Sequence, residues 1–313
     1  MRRVLAWLLV LVCAAWAVVR LFGLERGFPL VPLVAYTPLM AAAAVAVVAV
    51  AALLRQRAAA TVAALLAVGL VAAVAPRALG GPTEPEGAPG PRLRVLSVNM
   101  HFGTGSPEAL AELVRRTRPD VLSVQELTPE LATALDDAGL AELLPERVIR
   151  PEPRGTGIGL YARLPLAPGS LPGVRRNPVA VATARPRGGP AVELVAVHVT
   201  PPLRGWRVDA WRDDLRSLPG AAARGPLRIL AGDFNATLDH AELRRLLDAG
   251  YEDAAGEVGA GLRATWPDGR RIPPPVTIDH VLADRRCGVR AFSVHPIPGT
   301  DHRAVLAELV LPR

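Results

Sequence analysis

The chain has 313 residues, half of them apolar, and a formal net charge of +7. That length suffices for one large folded domain plus a further element. All 36 basic residues are arginine; seven of them precede residue 92, together with only three acids, Glu25, Glu84 and Glu86. The remainder therefore carries 29 arginines against 26 acids, a balance of only +3, so the high overall charge is no argument for nucleic-acid binding. With only Cys13 and Cys287 present, neither a disulfide framework nor a thiolate zinc site is indicated.

The N-terminal quarter reads as three transmembrane helices, at about residues 4–24, 30–54 and 58–79. The first reaches the ~20 residues a bilayer requires if Arg20 snorkels to the interface. A cleaved signal peptide is the competing reading of this run; the lack of a clear small-x-small cleavage site and the two spans that follow weigh against it. Arg2 and Arg3 precede the first span, and Arg55 and Arg57 fill the second loop, so the positive-inside rule puts these ends in the cytoplasm. Three crossings then place everything after residue 80 outside: a multi-pass protein of the cell membrane with an extracytoplasmic C-terminal domain. Residues 80–91, with four prolines and four glycines, read as an extended, semi-stiff linker, and the folded domain is expected over 92–313.

Within that domain, Leu93 to Asn99 reads as a strand. Ser106-Pro107 reads as an N-cap with proline at the first helical position, opening a helix to Thr117. Asp120 to Gln125 is a buried-type strand, and Thr128-Pro129 opens another helix. Strands are expected at Gly155 to Arg163, Val179 to Ala184 and Val192 to Val199, and a helix at Trp206 to Leu218. Leu227 to Asn235 is the central strand, and Asp239-x-x-Glu242 resembles a capping box opening the helix that ends near Gly250. Thr277 to Leu282 and Arg303 to Leu311 complete the strands. Strand pairs without an intervening helix favour a mixed-sheet α/β sandwich over a doubly wound parallel sheet.

Polar residues interrupt the apolar runs at strand ends: Asn99, Glu126, His198, Asp233 with Asn235, Asp279, and Asp301 with His302. Asp233 and Asn235, two apart, would share a face while Phe234 turns into the core, and Gly232 would admit a close backbone approach. Each residue has an ordinary reading as a turn, cap or core group. Together they supply the hard oxygen donors and imidazoles of a divalent-metal hydrolase. His101, His240 and His295 are expected to be solvent-facing or capping, and Arg204, Arg207 and Arg212 to lie on a solvated face.

Ser97-Val98-Asn99, Val124-Gln125-Glu126, Val197-His198-Val199, Gly232-Asp233-Phe234-Asn235, Ile278-Asp279-His280 and Gly299-Thr300-Asp301-His302 stand in an order and spacing that resembles the endonuclease/exonuclease/phosphatase superfamily, the fold of deoxyribonuclease I. The resemblance covers about Arg92 to the C-terminus and looks most like the membrane-anchored bacterial members. It implies a four-layer α/β/β/α sandwich with the site where the strand ends of the two sheets meet. It also implies a Mg²⁺-dependent phosphoesterase, with Mn²⁺ as the alternative ion, hydrolysing phosphodiester or phosphomonoester bonds by in-line attack of water. The substrate would be nucleic acid or a phospholipid headgroup, and the three N-terminal spans would bring the lipid bilayer as a second partner. Glu126 would be the principal metal ligand, with Asn99 and Asp301 completing its shell. Asp233 would activate the attacking water, Asn235 would position it, and Asp279 would pair with His302 to keep it protonated against the phosphoryl oxygens. His198 would contact the phosphate and protonate the leaving group. Ala162 stands where the family often carries a serine, which would weaken a substrate contact. A non-catalytic binding or scaffold domain retaining the fold is the competing reading, and every motif position here keeps its functional group.

Overall fold

In the computed structural model, residues 1–171 and 179–313 are described. The chain opens with α1 (Arg2–Phe22), α2 (Leu30–Val34), α3 (Thr37–Leu53), α4 (Arg57–Val74) and the single turn α5 (Pro76–Leu79). Helices α1, α3 and α4 share one core built mostly of alanine, including Ala6, Ala17, Ala44, Ala63 and Ala67. Larger residues such as Leu8, Leu11, Leu21, Leu65 and Val68 are exposed. Small residues between helices and large apolar ones on the outside invert the pattern of a water-soluble bundle. Of the three, α1 and α4 are long and apolar enough to cross a membrane. The stretch expected as one span over residues 30–54 is divided, because Pro38 permits a helix start but not a continuous helix through it. What remains in α3 is 17 residues, roughly 25 Å of helix.

The larger unit runs β1 (Pro89–Asn99), α6 (Pro107–Thr117), β2 (Val121–Gln125), α7 (Pro129–Asp137), α8 (Leu140–Leu143), β3 (Glu146–Arg150), β4 (Ile158–Ala162), β5 (Leu166–Pro168), β6 (Ala180–Ala184) and β7 (Val192–His198). It continues with α9 (Gly205–Ser217), β8 (Leu227–Asp233), α10 (Ala241–Asp248), β9 (Tyr251–Asp253), α11 (Ala254–Glu257), β10 (Asp279–Asp284), β11 (Gly288–Pro296) and β12 (Arg303–Pro312). The expected helix starts hold in detail: Ser106 accepts from the Ala109 N–H and Thr128 from the Leu131 N–H. The short strands β3, β5 and β9 and the edge strand β11 were not anticipated; they lack the long apolar runs by which the central strands announce themselves.

Two six-stranded mixed sheets form, in the orders β11-β12-β1-β2-β4-β3 and β5-β6-β7-β8-β10-β9. Each has a parallel pair near its middle, β1 with β2 and β7 with β8, and antiparallel neighbours outward. The inner faces pack together through Leu93, Val95, Leu160, Leu194 and Ile229. Leu96, Val98, Leu110 and Leu131 join α6 and α7 to the outside of one sheet; Leu230, Phe234, Trp211 and Leu243 join α9 and α10 to the other. The result is the α/β/β/α layering. Ala162, buried at 0% in the layer between the sheets, is remote from any substrate contact, contrary to the expectation for that position.

Two further expectations are corrected. Residues 80–91 are a docked strap: the Thr83 N–H donates to the Val289 carbonyl at 2.9 Å, Glu86 N–H to the Arg286 carbonyl at 2.9 Å, and Pro89 already pairs with Pro312. A Cβ at Gly80 would lie 2.0 Å from the Glu257 carbonyl oxygen, so the glycine is required for that close approach. Arg20 does not snorkel. Its Nε donates to Asp239 at 2.7 Å, and Arg77 donates to both oxygens of the same carboxylate at 2.7 and 3.0 Å. Asp239 is thereby removed from the capping role, and the N-terminus of α10 is capped instead by Glu25, whose carboxylate accepts from the Ala241 N–H. His240 is buried as well, its Nε2 3.0 Å from the Val31 carbonyl. The helical unit is thus joined to the sandwich through the C-terminal end of α1, the α2 turn and α5.

Candidate active site

A strand's side chains alternate between faces, and this period sets the floor of the site. Followed along the inner face, β1 reads Leu93, Val95, Ser97, Asn99; β7 reads Val192, Leu194, Ala196, His198; β8 reads Leu227, Ile229, Ala231, Asp233. Antiparallel β10, taken backwards, reads Ala283, Val281, Asp279. Each strand changes from apolar to polar at the same edge. Register aligns the ends: Asp233 lies directly beside His198 on one side and Asp279 on the other. Gly232 makes this possible, since a Cβ there would sit 1.8 Å from the Val197 carbonyl oxygen.

Asn99 ties the two sheets together, its Nδ2 donating to Glu126 at 3.0 Å and to Asp233 at 3.1 Å. Its Oδ1 accepts the His101 N–H at 2.9 Å. The second oxygen of Glu126 accepts the Phe102 N–H. Asn235 donates from its backbone to Asp233 at 2.8 Å, and from its amide to Asp233 and to the Val199 carbonyl. His198 Nε2 lies 3.7 Å from Glu126 and 3.9 Å from Asp233. His302 Nδ1 donates to Asp279 at 3.0 Å, which leaves Nε2 facing Asp233 at 3.8 Å. Thr265 secures the other partner of this dyad by accepting the Asp279 N–H at 3.1 Å.

Burial sets the charges. It raises the Asp233 carboxyl to about 7, a rise that Asp279 reinforces and that His302 and the N–H of Asn235 oppose. For His302 burial acts downward, but the carboxylates of Asp279 and Asp233 outweigh it and hold the imidazole at about 10, protonated at neutral pH. Burial dominates at His198 and holds it below its ordinary range, opposed by Glu126 and reinforced by His302.

A cavity of about 720 Å³ opens over these groups, lined by His101, Phe102, Glu126, His198, Asp233, Asn235, Asp301 and His302 among others. Of the seven non-glycine residues with positive φ among the described residues, five line it: His101, Phe102, Glu126, Arg154 and Asn235. Backbone held in this uncommon region concentrates where a site needs particular side-chain aim. His101 is therefore a site residue that sequence reasoning missed, its Nδ1 2.9 Å from Asp301. Trp266 is another, donating from Nε1 to the second oxygen of Asp301 at 3.1 Å. Neither announces itself in the sequence. Arg207 lines the cavity beside Trp206, whereas Arg212 is taken up by Asp209 and Glu242.

The donor set fits a hard divalent cation: carboxylates, an amide and imidazoles, with no thiolate near. Ligand atoms of Asp233, Asp279 and His302 fall within 4.8 Å of one another. The oxygens of Glu126, Asn99 and Asp301 each have one protein partner, which orients them and leaves each a lone pair for a cation.

Two mixed sheets stacked face to face, with acids and imidazoles converging from their strand ends, define an α/β sandwich of the phosphoesterase class. The chain belongs to the endonuclease/exonuclease/phosphatase family, which matches residues 96–302. An endonuclease/exonuclease/phosphatase from Beutenbergia cavernae is 19% identical, with 71% of this chain and 72% of that one covered and a TM-score of 0.54. TDP2 of D. rerio, in complex with a single-strand DNA product, is 18% identical over 70% of this chain and 98% of its own, also at 0.54. TDP2 of Caenorhabditis elegans is 18% identical over 70% and 97%, at 0.51. At these identities the likeness is one of fold. No curated protein matches the chain. Family membership supports a metal-dependent phosphoesterase or nuclease.

Proposed function

We propose that the protein is a membrane-anchored phosphodiesterase dependent on Mg²⁺, with three N-terminal spans and its catalytic domain outside the cytoplasm. The observation that carries the catalytic part is the convergence of Asn99, Glu126, Asp233 and the Asp279–His302 dyad on one cavity. The anchoring part is supported by the alanine-cored, leucine-surfaced helical unit. Up-down-up packing of α1, α3 and α4 also leaves Arg2, Arg3, Arg55 and Arg57 at the end opposite the sandwich, as positive-inside orientation requires.

Glu126, with Asn99 and Asp301, would hold the cation, which when bound neutralises phosphate charge and favours the ionised form of a nearby water. Asp233, poised near 7, accepts the proton of the attacking water, with Asn235 holding the carboxylate in place. His302, kept cationic by Asp279, pairs with the phosphoryl oxygens, where negative charge grows in the transition state. His198 donates a hydrogen bond from Nε2 to the same group. The test is hydrolysis of bis-p-nitrophenyl phosphate by the full-length protein in detergent with Mg²⁺. Glu126→Gln should raise the Mg²⁺ concentration required and lower kcat at least tenfold, on the scale of a lost charged ligand; unchanged activity at limiting Mg²⁺ would refute the assignment.

A further inference from the structure

The catalytic cavity has a wall that does not belong to the catalytic domain. Pro32, Ala35 and Tyr36, from the turn between α1 and α3, line it together with Glu126, Asp233 and His302. Tyr36 immediately precedes the first residue of α3. This wall is fixed, because the end of the bundle that carries it is bonded to the sandwich on either side. Arg20 and Arg77 share buried Asp239, and Val31 is packed within the same core as Trp211 and Phe234.

The rest of the rim carries exposed apolar and aromatic side chains among its polar ones. Phe102, Leu203 and Trp206 line the cavity yet are 57%, 56% and 68% exposed. Ile272, next to cavity-lining Pro273, is 88% exposed. Arginines accompany them: Arg154 and Arg207 line the cavity, and the Arg207 guanidinium lies 5.1 Å from the Trp206 ring centroid. Exposed tryptophan and leucine beside arginine is the composition that partitions into a lipid–water interface with anionic headgroups.

We infer that the active site is a composite of the two units, in which the Pro32–Tyr36 turn and the Leu203–Trp206 rim select a phosphodiester still seated in the bilayer: the headgroup of a glycerophospholipid. This rests on the phosphodiesterase reading and names its substrate class. The turn lies at the end of helices that, in that reading, leave the membrane at this level, so a cavity walled by it opens at headgroup height. A lipid could present its phosphate to Asp233 and His302 while its acyl chains remain among lipid. A long polynucleotide would meet the bundle end instead.

The experiment uses the full-length protein in vesicles of phosphatidylcholine and phosphatidylglycerol with Mg²⁺. Water adds to phosphorus and one P–O ester bond breaks, so either diacylglycerol or the headgroup alcohol leaves; diacylglycerol, phosphatidic acid and the released choline and glycerol headgroups are all measured, beside hydrolysis of bis-p-nitrophenyl phosphate and of single-stranded DNA. Lipid turnover is expected, and Tyr36→Ala and Trp206→Ala should each lower the ratio of lipid to soluble-diester kcat/KM about tenfold, the scale of one lost aromatic contact. Trp206, on the exposed rim, keeps the test informative if Tyr36→Ala disturbs the start of α3. Hydrolysis of the soluble diester or of DNA without lipid turnover overturns the inference and leaves the phosphodiesterase reading standing, as does a ratio unmoved by both substitutions. Loss of all three activities overturns both.

Discussion

Asp239 is the residue on which the junction between the two units depends, and Asp239→Asn measures it. The carboxylate is completely buried and receives three charge-assisted hydrogen bonds from two guanidinium groups whose side chains are each 8% exposed. The amide keeps the shape but removes the negative charge that Arg20 and Arg77 share. Breaking a buried ion pair from one side costs about 3–5 kcal/mol, and here two cations lose their common partner. If that cost falls on the docked state, the population with the junction open rises by roughly two to three and a half orders of magnitude. Hydrogen exchange in detergent micelles should register this as lost protection of the α2 turn and the first turn of α10, with the inter-sheet strands little changed. Arg20→Met should cost less, about 1.5–3 kcal/mol for a hydrogen bond to a charged group, because Arg77 still neutralises Asp239. Replacing all three residues with apolar ones of similar size should be nearly neutral, since the desolvation cost disappears with the attraction. Exchange in Asp239→Asn within twofold of the wild type at the α2 turn would refute the claim that the triad holds the units together.

Asp279→Asn and His302→Ala should not add: the double variant is expected to be little worse in kcat/KM than His302→Ala, whereas additivity within about 0.5 kcal/mol would mean that Asp279 is an ordinary buried acid. A reporter active only in the exported compartment should be on when fused after Pro91 and off when fused at Gln56; the opposite pattern would put the catalytic domain in the cytoplasm. Stability should also depend on pH through His280, which donates from Nδ1 to Asp253 and from Nε2 to the Ala236 carbonyl, both at 2.9 Å. Burial acts downward on it, but Asp253 prevails and raises it; its contribution is therefore full below the unfolded value of about 6.5 and is lost as pH rises through the higher folded value. His280→Gln should flatten that part of a Tm-against-pH curve, and an unchanged curve would show that the pair titrates alike in both states.

The central strands and the helix starts were legible because local chemistry alone specifies them. Ser106-Pro107 and Thr128-Pro129 need no tertiary partner to begin a helix, and the Leu227–Asp233 run has no alternative to burial on both faces. The polar strand ends were legible for the same reason: a carboxylate that ends an apolar run must face something that justifies its burial. What could not be read was any role defined across the junction. Asp239 looks like a helix cap and Arg20 like a snorkelling arginine until residues 219 positions apart are brought to 2.7 Å. His101 and Trp266 were missed because their function is to hold Asp301, and nothing in their own neighbourhoods shows it.

The division of labour among the three ionisable groups follows from where the sheets place them rather than from their types. Asp233 and Asp279 face each other in adjacent strands at one register position, and two carboxylates so close and so buried cannot both keep ordinary acidity. His302 resolves the conflict asymmetrically. Its Nδ1 is bonded to Asp279 at 3.0 Å, while Asp233 receives only the more distant Nε2 at 3.8 Å. Asp279 is thereby committed to the imidazolium, and Asp233 is left near 7, able to gain and lose a proton at working pH. Exchanging which acid is bonded would exchange the base and the orienting group. In the proposed mechanism it is this asymmetric placement of His302 that would make Asp233 the base and Asp279 the orienting group.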